Sequence, residues 1–212
     1  MQIAPIPLNQ VIANDVLERR AVRVPDAGAQ ERAMQGLRDA LTGSPRSVLQ
    51  KLVEVALELC LAHSAGVSLL ETAYGEPHFR WYAVAGAWRE LLWTTLPRDF
   101  SPCGTVLDRS AAQLMILPER HFTPLTQITP QVAEVLLVPF AVKGELVGTV
   151  WAVAHDASRQ FDREDRRVLS SLTQFAAEAY KRLASMTAED VHELMRMRAG
   201  PPAADTLNVE AD

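Results

Sequence analysis

The sequence predicts an α+β domain built on antiparallel strands, and three observations carry that prediction. Two apolar runs, Val135 to Val142 and Leu146 to His155, are separated only by Lys143, Gly144 and Glu145, a hairpin signature. Two further strand-like segments, Gly66 to Thr72 and Phe79 to Gly86, are joined by a turn containing Gly75 and Pro77 and form a second antiparallel pair. A long amphipathic helix closes the region: Asp162 can cap it, and Leu169, Leu172, Phe175, Ala176, Ala179 and Leu183 recur at helical intervals.

The remaining elements follow in chain order. Residues 1–25 mix Ile, Val, Pro and Asn without clear periodicity and are expected to be an extended N-terminal arm. A helix is expected over residues 26–43, with Ala29, Ala33, Leu37 and Ala40 or Leu41 on one face and Thr42, Gly43 and Ser44 as its stop. The next helix has the clearest start. Ser44 can cap free amides, Pro45 fits the first helical position, and Leu49, Leu52, Val53, Ala56 and Cys60 follow helical spacing. Between Ala87 and Pro130 regular signals thin out, around a short helix starting at Ser101 and a short strand over residues 113–117. A turn of helix is expected just after Pro130. Pro139 cannot donate to a sheet ladder, so its strand needs an edge or a bulge there. Thr187 can cap a short helix over residues 186–198, and the acidic stretch 199–212 reads as disordered.

Composition narrows the function classes. The 212 residues carry 21 Lys and Arg against 26 Asp and Glu, a net charge of −5, with 48% hydrophobic and 22% charged types. That balance is globular. Neither apolar run approaches the roughly 18 residues needed to cross a bilayer, so no membrane span is expected. Two cysteines and no basic apolar leader point to the cytoplasm. An acidic chain without a Lys/Arg block argues against nucleic acid. Arg163, Arg166 and Arg167 sit among Asp162, Glu164 and Asp165 and read as a solvated helix face.

The segments DFSPCGTVLDR (99–109), EVLLVPFAVKGELVGTVWAVAHD (134–156) and RQFDREDRRVLSSLTQFAAEAY (159–180), in this order of elements, resemble the GAF modules of bacterial signalling proteins, relatives of the PAS sensor fold. The resemblance runs from Ser47 to about Arg182 and sets a domain over residues 44–185. It implies a central antiparallel sheet with the terminal helices on one face and an irregular, pocket-forming insert on the other. It also implies small-molecule binding, with cyclic nucleotides, bilins, haem or metabolites as candidates, and a homodimer formed through the terminal helices.

The candidate ligand-binding residues are Trp81, Tyr82, Trp88, Trp93, Phe100, Ser101, Cys103, Gly104, Thr105, Arg109 and His121. If Ser101 caps the short helix, Cys103 lies in its first turn, where free amides favour an anion or a thiolate, and Gly104 permits close backbone approach. A small residue packing the helix on the sheet is the competing reading of Cys103. Cys60 falls on an apolar stripe and reads as core. On its strand Trp81 shares a face with Phe79 and Ala83, and Tyr82 with Arg80 and Val84, so one set faces the pocket. The rings can equally be core around an irregular loop. Arg89, Arg98, Arg109 and Arg120 can pair with a bound anion or remain solvated.

Several chemistries lack their motifs. The histidines, His63, His78, His121, His155 and His192, have no metal-ligand spacing on a helix, and no metal is expected. GVSLL at 66–70 lacks the second glycine of a nucleophile elbow, and no GxG pair or phosphate loop occurs. Among GAF specialisations, Cys103 is followed by Gly104 where bilin-binding relatives have histidine. No Asn-Lys pair marks a cyclic-nucleotide site, and the several cysteines of a free methionine sulfoxide reductase are lacking. The expectation is a stand-alone, non-enzymatic sensory module of unknown ligand or cofactor, binding a small molecule or sensing redox state and signalling to a partner protein in trans. The alternatives are a ligand-free interaction or dimerisation module and, third, the reductase.

Overall fold

The computed structural model describes residues 5–72 and 75–185. The helix expected after Thr187 and the acidic tail lie outside the described residues.

Five helices and six strands are described. The helices are α1 (Asn14–Arg19), α2 (Ala27–Ala40), α3 (Pro45–Leu59), α4 (Pro102–Arg109) and α5 (Arg163–Ala184). The strands are β1 (Ser64–Glu71), β2 (His78–Gly86), β3 (Thr95–Pro97), β4 (Gln113–Ile116), β5 (Glu134–Val142) and β6 (Glu145–Ala154). They form one sheet in the order β3-β2-β1-β6-β5-β4, with every pairing antiparallel. Both expected hairpins are therefore present, and β1 pairs with β6 to join them. Pro139 lies beyond the stretch of β5 that β4 covers, and a bulge follows at Phe140/Ala141, so the chain meets both conditions that proline sets.

Local chemistry starts the helices where expected. The Ser44 hydroxyl accepts from the Ser47 amide ahead of Pro45. Asp162 accepts from the amides of Glu164 and Asp165, while the Asp165 carboxylate accepts from the Asp162 amide at 2.8 Å, a reciprocal capping box. No helix turn follows Pro130. The short helical turns of that region, Pro118–Arg120 and Thr123–Gln127, precede it.

Strand alternation then sorts the apolar residues into two cores. Leu136, Val138, Phe140, Val150, Ala152 and Ala154 face α3 and α5, whose Leu49, Leu52, Val53, Leu169, Leu172 and Ala176 are buried against them, and α2 adds Leu37. Val135, Leu137, Trp151 and Val153 face the opposite way, toward the insert between β2 and β5. The terminal helices cover one face and the irregular insert the other. No helix among the described residues is long and apolar enough to cross a membrane.

The N-terminal segment departs from the expected extended arm. It contains a 3-10 turn and α1, and it is docked along its length. The Ile6 amide donates to the Arg120 carbonyl, Ile12 bridges to Met115, and the Ala13 amide donates to Leu114, so the arm closes the free edge of β4. It then reaches the start of α5. The Arg20 guanidinium grips Glu134 through both oxygens, at 2.5 and 2.8 Å, and donates to the Phe161 carbonyl. Arg23 donates to Asp165 at 2.8 Å and to the Leu59 carbonyl, and its amide donates to the capping residue Asp162. The arginines beyond the cap also find partners: Arg166 meets Glu18, and Arg167 bonds Glu164 and Gln30. The segment is a strap around the sheet edge.

Glu134 is only 6% exposed at its side chain. Arg20→Ala leaves that carboxylate with little beyond the Phe161 amide and is expected to lower unfolding free energy by about 3 kcal/mol, the effect of breaking a buried pair from one side. Urea titration measures it as a drop in midpoint.

Candidate functional site

The insert roofs the second face of the sheet and leaves a cavity of ≈ 30 Å³ there. Trp81, Leu96, Val135, Leu137, Trp151 and Val153, from β2, β3, β5 and β6, form its floor, and Trp88 walls it from the loop after β2. Pro102 and Cys103 of α4, Pro118, Leu125 and Val132 complete the roof.

Glycine placement explains the floor. Trp151 pairs across β1 with Gly66, and a Cβ at residue 66 would lie 2.1 Å from the indole, so only glycine leaves room for the ring. The indole is then fixed by Nε1–H donating to Ser68 Oγ at 2.9 Å. Trp81 stacks on Trp88 at 5.4 Å and meets Trp151 at 5.0 Å, with Trp88 and Trp151 edge-to-face at 6.0 Å. Trp88 Nε1 donates to the Pro130 carbonyl at 3.0 Å, whereas Trp81 Nε1 is buried without a hydrogen-bond acceptor.

A bulge decides which side of β2 faces the cavity. Val67 pairs with Ala83 and Ser68 with Trp81, which leaves Tyr82 as the extra residue. Phe79, Trp81 and Val84 consequently share the cavity side, and Ala83 joins the helix side. This corrects the simple alternation, which put Ala83 with Trp81 and Val84 with Tyr82.

Of the expected binding residues, Trp81, Trp88 and Cys103 border the cavity and the others do not. Tyr82 packs on the helix side and donates its hydroxyl to Glu71 at 2.8 Å. Trp93 lies edge-on to Tyr82 at 5.0 Å beneath the Arg46 guanidinium. Phe100 packs on His121 and Phe122, and His121 Nδ1–H donates to the Ile6 carbonyl, so this pair holds the strap. Ser101 caps α4 by accepting from the Gly104 amide, Thr105 bonds the Ser101 carbonyl, and Gly104 sits so close to the Arg98 carbonyl that a Cβ would be 1.9 Å away. Arg109 is exposed at the end of α4. The anion-pairing arginines are absent from the cavity as well: Arg98 is tied to Asp108 and Arg89 to Glu90. Sequence reading passed over Trp151, Leu137 and Val153, although their alternation with Ala152, Leu136 and Ala154 was available to find them.

Both thiols are buried. Cys103 is 3% exposed, receives a hydrogen bond from the Thr149 hydroxyl at 3.3 Å, and has its pKa pushed up by burial, which outweighs any help from the helix amides. The thiolate expected of the α4 first turn is therefore not favoured. Cys60 lies in the core on the other face of the sheet, its thiol likewise pushed up by burial.

Beside the cavity, Trp88 is held by a polar cluster. His155 Nδ1–H donates to the Gln131 carbonyl at 2.8 Å, which leaves Nε2 to accept from the Ser64 hydroxyl at 2.8 Å. The Trp88 amide donates to Ser64 Oγ, and the His155 amide to His63 Nδ1. A hydroxyl, an imidazole and an orienting carbonyl resemble the parts of a nucleophilic site, but Ser64 is 0% exposed and closed to solvent. Burial pulls the His155 pKa down, favouring the neutral ring this pattern requires. No group of three or more His, Cys, Asp or Glu side chains among the described residues is placed to hold a metal ion.

The family model of the GAF domain matches residues 42–180. The chain belongs to the GAF family. No curated protein shows significant sequence similarity to it. Solved GAF structures share its fold. The GAF domain of an Acinetobacter phosphoenolpyruvate-protein phosphotransferase superposes with TM-score 0.63 at 14% identity, over 76% of this chain and 96% of that one. The free methionine-R-sulfoxide reductase of Neisseria meningitidis, in complex with its substrate, gives 0.60 at 15%, over 77% and 95%. The phycocyanobilin-bound GAF domain of a cyanobacterial phytochrome gives 0.57 at 13%, over 78% and 100%. At such identities the likeness is one of fold. This GAF fold is α+β, a six-stranded antiparallel sheet with flanking helices.

Two outcomes are expected. In native protein at neutral pH neither thiol reacts with a disulfide reagent faster than the chain unfolds, and rapid labelling of Cys103 contradicts its burial. The lowered His155 pKa means that the unfolded chain binds the proton first as pH falls below about 6.5, so stability declines with falling pH from there toward the folded value. Denaturant titrations from pH 7 to 5 measure this slope, and His155→Gln is expected to flatten it.

Proposed function

We propose that this GAF domain is a non-catalytic regulatory module that holds a small molecule between sheet and roof and signals its occupancy to a partner protein. The observation that carries the reading is the cavity walled by Trp81, Trp88 and Trp151, where loop, helix and sheet converge around unfilled space. Catalysis finds little support beside it. Among the described residues no carboxylate or imidazole borders the cavity, and Cys103 and Cys60 occupy opposite faces of the sheet, out of reach for disulfide exchange. A redox signal through Cys103 is disfavoured by the same burial.

Occupancy has a route outward. The strap touches the roof at Arg120 and His121, runs along β4, and ends on Asp162 and Asp165 at the head of α5. A roof that closes on a ligand pulls on the strap and shifts the helical layer, through which a homodimer or partner contact would change. Only a ligand with different affinity for the two arrangements can do this. The small size of the cavity favours a second reading, a ligand-free interaction or dimerisation module.

Native mass spectrometry of the protein purified from its own host separates the two. A mass above that of the chain or its multiple, lost on denaturation, is the expected result. A bare chain mass, with a melting temperature indifferent to a metabolite library, favours the interaction module.

A further inference from the structure

We infer that the cavity is built for a compact, uncharged and largely apolar guest and that it excludes ionic metabolites. This rests on the regulatory reading above and adds the chemistry of the ligand to it.

The walls leave almost nothing polar to meet a guest. Trp151 Nε1 is committed to Ser68, Trp88 Nε1 to the Pro130 carbonyl, and the Cys103 sulfur to Thr149. Among the described residues, no Lys, Arg, Asp or Glu side chain borders the space. An ion entering it would give up hydration worth several kcal/mol without gaining a partner.

Water is a poor occupant for the same reason. A volume of ≈ 30 Å³ exceeds the ~10–15 Å³ that one water needs, yet a buried water also needs about two to four polar partners, and the walls do not supply them. Apolar cavities of this kind stay dry and take apolar guests, which restore dispersion contacts that a void forfeits. Size sets the second limit, since the space admits roughly two water-sized groups. A larger guest must displace Trp88, whose loop follows Gly86 at φ +82° and is held by the Pro130 contact.

The test uses the full chain labelled with 5-fluorotryptophan and followed by fluorine NMR, with the four signals assigned by single Trp→Phe variants. Trp93 lies away from the cavity and serves as the internal reference. Xenon and chloroform are the uncharged probes; acetate and trimethylammonium are the charged ones. The expected result is saturable shifts of the Trp81, Trp88 and Trp151 signals with the uncharged probes, none with the ions, and a stationary Trp93. The same probes are expected to raise the melting temperature of unlabelled protein, which guards against an effect of the label. Saturable shifts with acetate or trimethylammonium overturn the inference about chemistry and leave the regulatory reading intact. Where native mass spectrometry shows a retained molecule, silence toward all four probes in protein stripped of it by denaturation and refolding overturns the inference and places the ligand elsewhere. Silence together with a bare chain mass overturns both.

Discussion

The packing of the Trp151 indole over Gly66 is the contact on which the cavity face of the sheet depends. A methyl group at residue 66 would occupy the ring's own volume, and the ring would have to leave the floor. Trp151 meets Trp81 and Trp88, and the three rings together wall the cavity. The other face packs Leu136, Val138, Phe140, Val150, Ala152 and Ala154 against α3 and α5. One sheet thus has a closely filled side and a side with a gap, and the difference follows from where tryptophans and glycines fall in the strands.

The cavity and the helical layer lie on opposite sides of that sheet, so under the proposed regulatory reading a signal would pass through the sheet or around its edge. The strap is the edge route. Two of its arginines, Arg20 and Arg23, end at buried carboxylates, Glu134 on β5 and Asp165 in the α5 capping box. Burial raises the Asp165 pKa, while the Asp162 amide and the Arg159 and Arg23 guanidiniums favour its charged form. The polar cluster of Ser64, His155 and His63 fixes the Trp88 wall from the opposite end.

What was legible in the sequence was local. Ser44-Pro45, Ser101-Pro102 and Asp162 announced three helices because capping is a contact over three residues, and Lys143-Gly144 announced a hairpin for the same reason. The strap was illegible because its partners are remote: Arg20 meets Glu134 and Arg23 meets Asp165 across more than 110 residues. The bulge at Tyr82 was equally hidden, since it depends on the register against β1, and one added residue was enough to exchange Ala83 and Val84 between faces. In the site, aromatic density near residue 90 pointed to Trp81 and Trp88 but also to Trp93, which serves the helix side. Trp151 stood alone in a strand and drew no attention, although it sits at the centre.

The most direct measurement is a crystal structure of the protein pressurised with xenon, which reports the gap itself. The account predicts a xenon peak enclosed by Trp81, Trp88 and Trp151, with the roof otherwise in place. Continuous side-chain density through that position, with no xenon between sheet and insert, would contradict it.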